Sequence, residues 1–211
     1  MPWPDDPRPR YSFDASGGLP RSGAPATLAL ILANVAVFGL QLLLGDAFSA
    51  PLALWPIGGG FEPWQIVTSA FLHGSLLHIG ANMYGLWLFG RDIERVLGSR
   101  HFLQLYAASV VAAAVTQVVV TTAAATDVPT LGASGGVFGV LYAFAKLFPD
   151  RRLLLLFPPI VLPARIFVLL YAAFELLAGI SGSMAGVAHF AHLGGLAGAW
   201  LLMHRWYRRA G

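Results

Sequence analysis

The chain alternates between long apolar stretches and short polar segments. A helix that crosses the hydrocarbon core of a bilayer needs about 20 mostly apolar residues. Lipid offers no hydrogen-bond partner to an open sheet edge, so helices are the expected spanning elements. The pattern therefore predicts an all-α membrane protein, a bundle of six transmembrane helices. The predicted helices cover residues 25–45, 76–90, 102–126, 132–148, 153–180 and 187–204.

The composition supports a membrane location. Hydrophobic residues make up 57% of the 211 residues and charged residues only 11%, whereas soluble domains hold about 45–50% apolar and about 25% charged residues. A soluble domain of this size could not bury so much apolar surface. The chain contains no cysteine, which excludes a disulfide scaffold, a thiolate zinc site and a cysteine nucleophile.

The thirteen basic residues all fall on one side of the predicted helices. They precede the first helix, follow the sixth, and flank the links between helices 2 and 3 and between helices 4 and 5, whereas the other three links carry none. Under the positive-inside rule both termini are therefore predicted to be cytoplasmic. Because the basic residues follow topology and form no patch with interleaved aromatics, we expect no nucleic-acid partner.

The ends of the chain are predicted to lie outside the membrane domain. Residues 1–24 are polar and rich in proline, glycine and arginine, which predicts a short disordered cytoplasmic tail. The six-helix domain is expected over residues 25–206 and a cytoplasmic C-terminal tail over residues 207–211. The first residues show no signal-peptide pattern, and their aspartates argue against a transit peptide. These features predict a multi-pass protein of the bacterial plasma (inner) membrane.

Polar residues inside predicted helices are costly and mark candidate functional sites. They form three clusters, at the start of helices 2, 4 and 6. All three helices enter the membrane from the outer face, so the clusters are expected at similar depth. The clusters are residues 73–82 with His73, His78 and Asn82, residues 132–136 with Ser134, and residues 188–195 with His189 and His192.

The residue types in these clusters favour nucleophilic catalysis. Ser134 is a candidate nucleophile, and His192 or His189 is a candidate base within hydrogen-bond reach. His78 and Asn82 are four residues apart, share one helical face and can stabilise an oxyanion together with the Ser134 amide. The alternative for a lone serine in a glycine-rich membrane helix is a role in helix packing. Packing is also the role that we expect for Gly194 and Gly195.

Cofactor chemistry is not expected from these residues. No His-Glu-x-x-His motif and no glycine-rich phosphate loop with its lysine occurs in the sequence. The histidines alone could bind a metal or a haem, but Ser134 and Asn82 would then have no explanation. We therefore expect neither a metal nor another cofactor.

Taken in order, the three motifs resemble those of rhomboid intramembrane serine proteases, over about residues 25–206. The resemblance implies Ser134 as nucleophile and His192 as general base, a dyad without a third carboxylate. It implies His78 and Asn82, with the Ser134 amide, as oxyanion stabilisers. It selects His192 over His189, which is expected to line or hydrate the cavity.

Two positions depart from the best-known form of this family. Gln65 stands where several members carry arginine, which puts a lipid-headgroup contact at this position in doubt. Phe138 stands where some members carry tyrosine, so it is expected to stack on His192 without supplying a hydroxyl. Neither change affects the dyad.

Three further polar residues carry structural expectations. Glu175 in helix 5 is interpreted as a protonated carboxyl bonded within the bundle, with a role in opening helix 5 as the alternative. Glu94 is expected to tie its loop to helix 3 through Arg95 or Arg100. His73 is expected to make a structural hydrogen bond.

The sequence therefore predicts an endopeptidase that cleaves single-pass transmembrane proteins near the outer face of the bilayer. The alternative is a noncatalytic rhomboid-like factor that binds client helices. A small-solute carrier is disfavoured, because the polar clusters lie near one face and not at the midplane. The sequence specifies no oligomeric state.

Overall fold

The computed structural model of the chain describes residues 23–155, 159–182 and 188–210, so most of the predicted N-terminal tail lies outside the described residues. The chain is mostly helical, as predicted. Six long helices carry the fold: α1 Pro25–Leu44, α2 Leu76–Gly85, α3 Arg91–Ala123, α4 Ser134–Leu147, α5 Ala164–Ser181 and α6 His189–Ala210.

Helices α2 and α3 are joined without a loop. A π-helical segment, Leu86–Gly90, connects them, so the chain stays helical where the sequence predicts a link. The break comes later, at Gly98, whose φ of 76° and ψ of 156° are not helical. Glycine adopts such a positive φ without the penalty of a Cβ, and the direction of the chain changes there.

The start of the predicted fifth helix is wrong wherever the structure describes it before residue 164. Its described residues there form two antiparallel strands, β1, Arg152–Leu155, and β2, Ile160–Pro163, with Arg152 opposite Pro163. Prolines at 159 and 163 explain the difference, because proline removes a helical hydrogen bond and clashes with the preceding turn. Helix α5 begins directly after Pro163 and ends at Ser181, where Gly182 caps it with a φ of 66°.

Helix α6 is longer than the sequence predicts. It continues through Ala210, whereas its apolar stretch ends at residue 204. Arginine is a good helix former, and the basic residues of the last turn, Arg208 and Arg209, favour the negative end of the helix dipole. The predicted C-terminal tail is thus helical as far as residue 210.

Helices α3, α4 and α6 form the centre of the bundle. The backbones of α4 and α6 approach so closely that a Cβ on Gly195 would collide with the carbonyl oxygen of Gly135. This contact confirms the packing role expected of Gly195, because small residues let membrane helices come together.

Helices α1 and α5 lie at the periphery and present apolar side chains outward. Leu43 on α1 is 81% exposed and Leu177 on α5 is 68% exposed, which suits a lipid environment. In the described residues, three helical segments are long and apolar enough to cross a bilayer: Pro25–Leu44, the continuous run Leu76–Ala123 and Ala164–Ser181. The prediction of six spans therefore stays a prediction.

Basic residues from distant parts of the chain meet at one end of the bundle. Arg151, beside the hairpin, contacts Asp92 at the start of α3 over 2.6 Å. Lys146, in the last turn of α4, lies over the ring of Tyr207 in α6 at 5.9 Å. The chain segments that carry these basic residues, which the charge pattern assigns to one side of the membrane, are thus close to one another in the structure.

Glu94 has a different role from the one expected. Its buried carboxylate accepts hydrogen bonds from the backbone amides of Ala26 and Thr27 at 2.9 and 2.8 Å, from the Thr27 hydroxyl at 2.7 Å and from Ser99 at 2.7 Å. The first amides of a helix have no partner within it, and a carboxylate favours the positive end of its dipole. Glu94 therefore caps α1 instead of pairing with a neighbouring arginine.

The loop after α1 is packed against the bundle. It contains two short helices, Asp46–Ser49 and Gln65–Thr68, and a 3-10 turn, Ser69–Phe71. Gln65 is 1% exposed; its side-chain oxygen accepts from the amides of Trp55 and Glu62, both at 3.1 Å. Gln65 thus fixes the loop from inside, and its side chain is turned away from the lipid surface.

Candidate active site

Ser134 is the first residue of α4, at the end of the bundle opposite the basic residues. The turn before it is anchored to the loop after α1, through paired backbone hydrogen bonds of 2.9 and 2.8 Å between Leu54 and Thr130, and through one of 2.9 Å from the Gly132 amide to the Ser69 carbonyl. Amides at a helix start lack acceptors within the helix. The Ser134 amide is therefore available to an external oxygen.

Gly132 determines how closely His78 approaches this turn. Its φ is 134°, and a Cβ at this position would lie 2.8 Å from both Cε1 and Nε2 of the His78 ring. Only glycine meets both conditions, because it lacks the Cβ and tolerates positive φ. The ring of His78 consequently packs against the backbone two residues before Ser134.

The hydroxyl of Ser134 and the imidazole of His192 are in direct contact. Oγ lies 2.9 Å from Nε2, within the range required of a nucleophile and its base. The ring of Phe138, one turn further along α4, stacks on His192 with centroids 4.2 Å apart and planes 7° from parallel. The stacking expected of Phe138 is confirmed.

His78 and Asn82 lie on one face of α2 and line the same cavity as Ser134 and His192. Ser75 caps the helix by accepting a hydrogen bond from the His78 amide at 3.1 Å. The Asn82 side chain donates to the His78 carbonyl at 3.0 Å, so it is held one turn deeper. The structure thus brings all four predicted site residues to one cavity.

The cavity has a volume of about 710 Å³, within the range of ligand-binding clefts. It lies between α2 and α5, with Phe167 and Tyr171 contributed by α5. Most of its lining is apolar, and the polar groups converge around Ser134.

Behind His192 lies a buried carboxylate that the sequence interpretation does not place there. Oε2 of Glu175, in α5, is 2.6 Å from Nδ1 of His189 and 3.0 Å from Nδ1 of His192. The dyad without a third carboxylate, which the family resemblance implies, stays a prediction; the structure adds that a carboxylate lies beside its proposed base. The expectation for His189 is corrected: in the part of the chain that the structure describes it pairs with Glu175 and does not line the cavity.

These three residues are the candidate metal ligands among the described residues, with ligand atoms within 4.8 Å of one another. Tetrahedral ligands at about 2.0–2.2 Å from zinc lie about 3.4 Å apart. The contacts of 2.6 and 3.0 Å from one carboxylate oxygen are shorter. The arrangement favours direct pairing of the carboxylate with the imidazoles over coordination of an ion.

His73 is buried beneath the site. Its amide donates to the Gln41 side chain at 2.9 Å, and its carbonyl accepts from the same side chain at 3.4 Å. Its ring meets the ring of His78 edge to face, with centroids 5.1 Å apart. The expected structural hydrogen bond is thus made by the backbone of His73, and its ring supports His78.

A family model describing the rhomboid domain matches residues 60–209, a range that contains all three polar clusters. The chain belongs to the rhomboid family. This family includes intramembrane serine proteases, such as the relative named rhomboid protease GlpG from Klebsiella pneumoniae, which is 38% identical over 92 residues, 43% of this chain and 33% of its own.

Other rhomboid relatives match over more of the chain. Rhomboid protein 1, mitochondrial, from Saccharomyces cerevisiae is 36% identical over 170 residues, covering 79% of this chain and 49% of its own. The human presenilin-associated rhomboid-like protein, mitochondrial, is 35% identical over 147 residues, covering 66% of this chain and 37% of its own. The matched segments span about half or less of these relatives.

The names of these longer matches bear on location. Both are mitochondrial proteins, as are the bovine and zebrafish relatives of the second. The predicted bacterial plasma membrane is contradicted by these relatives and is therefore wrong. The prediction rested on the composition of the first residues alone, which carries less information than similarity across the helical domain.

Proposed function

We propose that this rhomboid protein is a serine endopeptidase that hydrolyses peptide bonds of transmembrane substrates within the bilayer. One observation carries the proposal: the Ser134 hydroxyl lies 2.9 Å from Nε2 of His192, inside a cavity large enough for a peptide. A serine and a histidine that are 58 residues apart in sequence meet in the geometry of nucleophile and base.

In the proposed reaction, Nε2 of His192 takes the hydroxyl proton as Oγ of Ser134 bonds to the scissile carbonyl carbon. The oxygen of that carbonyl becomes an oxyanion, stabilised by the Ser134 amide and the side chains of His78 and Asn82. The imidazolium then passes its proton to the leaving amine as the peptide bond breaks. Water attacks the acyl-enzyme, with His192 again as the base.

The substrates we propose are single-pass transmembrane proteins. The site lies at the start of α4, which is about 21 Å long at 1.5 Å per residue for its 14 residues. The hydrocarbon core is about 30 Å thick, so a helix of this length that ends at one surface places Ser134 within the bilayer, below the other surface. A helical peptide bond is shielded by its own turn, so the substrate must unwind to place a carbonyl beside Oγ. The apolar walls of the cavity favour residues that come from a membrane span.

The proposal is tested with the full chain in liposomes and a model single-pass substrate. Ser134→Ala removes the nucleophile and is expected to abolish cleavage while leaving thermal unfolding unchanged. Ser49→Ala, in the loop after α1 and away from the cavity, is the matched control and is expected to cleave normally. A fluorophosphonate probe should label the unmodified protein at Ser134 and not label Ser134→Ala.

A noncatalytic client-binding factor would give a different result. It would bind the substrate helix equally well with and without Ser134, and neither form would cleave it or react with the probe. Cleavage that persists in Ser134→Ala would reject Ser134 as the nucleophile.

A further inference from the structure

Glu175 is a carboxylate in the middle of an otherwise apolar helix. It is 2% exposed, and the residues around it on α5, from Ala172 to Ala178, are all apolar. An acidic side chain in such surroundings is costly unless it is paired. Its described partners are two histidines, and one of them is the proposed general base.

The two nitrogens of His192 face two different groups. Nε2 is 2.9 Å from the Ser134 hydroxyl, and Nδ1 is 3.0 Å from Oε2 of Glu175. A proton on Nδ1 beside the carboxylate leaves the lone pair of Nε2 for the serine proton. The carboxylate thereby favours the tautomer that a base needs.

His189 holds the carboxylate in this place. Its Nδ1 contact with Oε2, at 2.6 Å, is shorter and better aligned for a hydrogen bond than the contact of His192. His189 and His192 are three residues apart on one face of α6, so one oxygen of Glu175 reaches both rings. Nδ1 of His192 lies 3.0 Å from the same oxygen but makes no hydrogen bond in this structure. Catalytic hydrogen bonds are often poorly aligned in the free enzyme and tighten when the substrate binds.

We infer that Glu175 is a positioning residue that completes a Ser134–His192–Glu175 arrangement, an inference that rests on the proposed protease function. When His192 takes the serine proton, the imidazolium forms beside a fixed negative charge. The carboxylate gains no proton; it stabilises the cation and keeps Nε2 directed at Oγ. This chain thus adds a carboxylate to the two-residue mechanism that its motifs imply.

The test compares Glu175→Gln with Glu94→Gln, the same substitution at another buried carboxylate at the far end of the bundle. Substrate cleavage in liposomes is measured as kcat and KM, with fluorophosphonate labelling of Ser134 and thermal unfolding. We expect Glu175→Gln to lower kcat and the labelling rate at least tenfold, with KM within about twofold. The corresponding replacement of the carboxylate in a serine-protease triad lowers kcat by about 10⁴-fold, which sets the upper end of the expected loss. Glu94→Gln should lower the unfolding temperature and leave kcat unchanged.

A conservative variant separates positioning from packing. Glu175→Asp keeps the charge on a shorter side chain and is expected to recover part of the kcat lost in Glu175→Gln, and it serves as the measured variant if Glu175→Gln does not fold. Equal kcat in Glu175→Gln and the unmodified protein would overturn the inference while leaving the protease function intact. Activity that is lost on chelation and restored by zinc would also overturn it, in favour of a metal site. If the unmodified protein neither cleaves nor labels, the proposed function itself fails.

Discussion

The ring of His192 is constrained on three sides by single side chains. Ser134 lies at one nitrogen, Glu175 lies at the other, and Phe138 covers one face. A base that must accept a proton and return it gains from such a fixed orientation, because misplacement of a catalytic group costs rate even when the group is chemically intact. The three contacts come from α4 and α5, so the position of the ring depends on how α6 packs against both.

Phe138→Leu is expected to lower kcat by about 2- to 13-fold, the equivalent of the roughly 0.5–1.5 kcal/mol assigned to an aromatic pair. Leucine fills similar space but offers no flat surface to the imidazole. The measurement is kcat for substrate cleavage, with thermal unfolding monitored in parallel. Phe138→Tyr retains the ring and is the control; if it loses as much activity as Phe138→Leu, stacking is not the reason.

The sequence identifies most of the residues at the candidate site but does not predict the contact between Glu175 and His192. Ser134, His192, His78 and Asn82 fall in clusters at the same end of three helices, which the alternation of helix direction is enough to reveal. Glu175 lies near the middle of a helix and belongs to no cluster. Its contact with His192 depends on the rotation of α5 about its axis, which apolar residues on all sides do not specify. The His-x-x-His spacing on α6 is the available hint, since two imidazoles on one face suit a shared partner.

At the scale of elements, the apolar pattern identifies membrane helices better than it identifies their ends. Helices α1 and α4 begin and end within two residues of the prediction. The errors come where another signal competes with hydrophobicity: Pro159 and Pro163 convert apolar sequence into a hairpin, and the polar residues after Gly90 remain helical. Glu94 caps α1 through contacts about 68 residues apart in sequence, and helical periodicity carries no information on such a pairing.

Glu94→Ala is expected to destabilise the fold by about 1.5–3 kcal/mol, the range for hydrogen bonds to a charged group. The change removes the acceptor for two amides at the start of α1 and for the Thr27 and Ser99 hydroxyls. The measurement is the free energy of unfolding in mixed micelles. Asp92→Asn, on the same turn of the chain, breaks partly exposed ion pairs with Arg95 and Arg151 and should cost less than about 1 kcal/mol. Equal losses in the two variants would show that Glu94 is not a specific cap.

At the scale of the whole molecule, the two ends of the bundle differ in chemistry. One end gathers basic side chains, including Arg151, Lys146 and Arg205. The other end holds Ser134 and its cavity, and the links there, over residues 46–75 and 124–133, carry no lysine or arginine. This separation of charge is the physical basis for proposing one orientation in the membrane, with the proposed site towards the surface opposite the positively charged side.

The orientation is measurable because the chain contains no cysteine, so any introduced thiol is unique. Asp127→Cys places a thiol on the exposed link before Ser134, and Asp150→Cys places one beside the hairpin at the basic end. In sealed vesicles of one known orientation, a membrane-impermeant maleimide should label one variant from outside and the other only after the vesicles are opened. Under the positive-inside rule, links rich in lysine and arginine stay on the side of the membrane from which the protein inserts. The Asp150→Cys thiol is therefore predicted to lie on that side. Labelling of both thiols from the same side would contradict the arrangement of spans as well as the location of the active site.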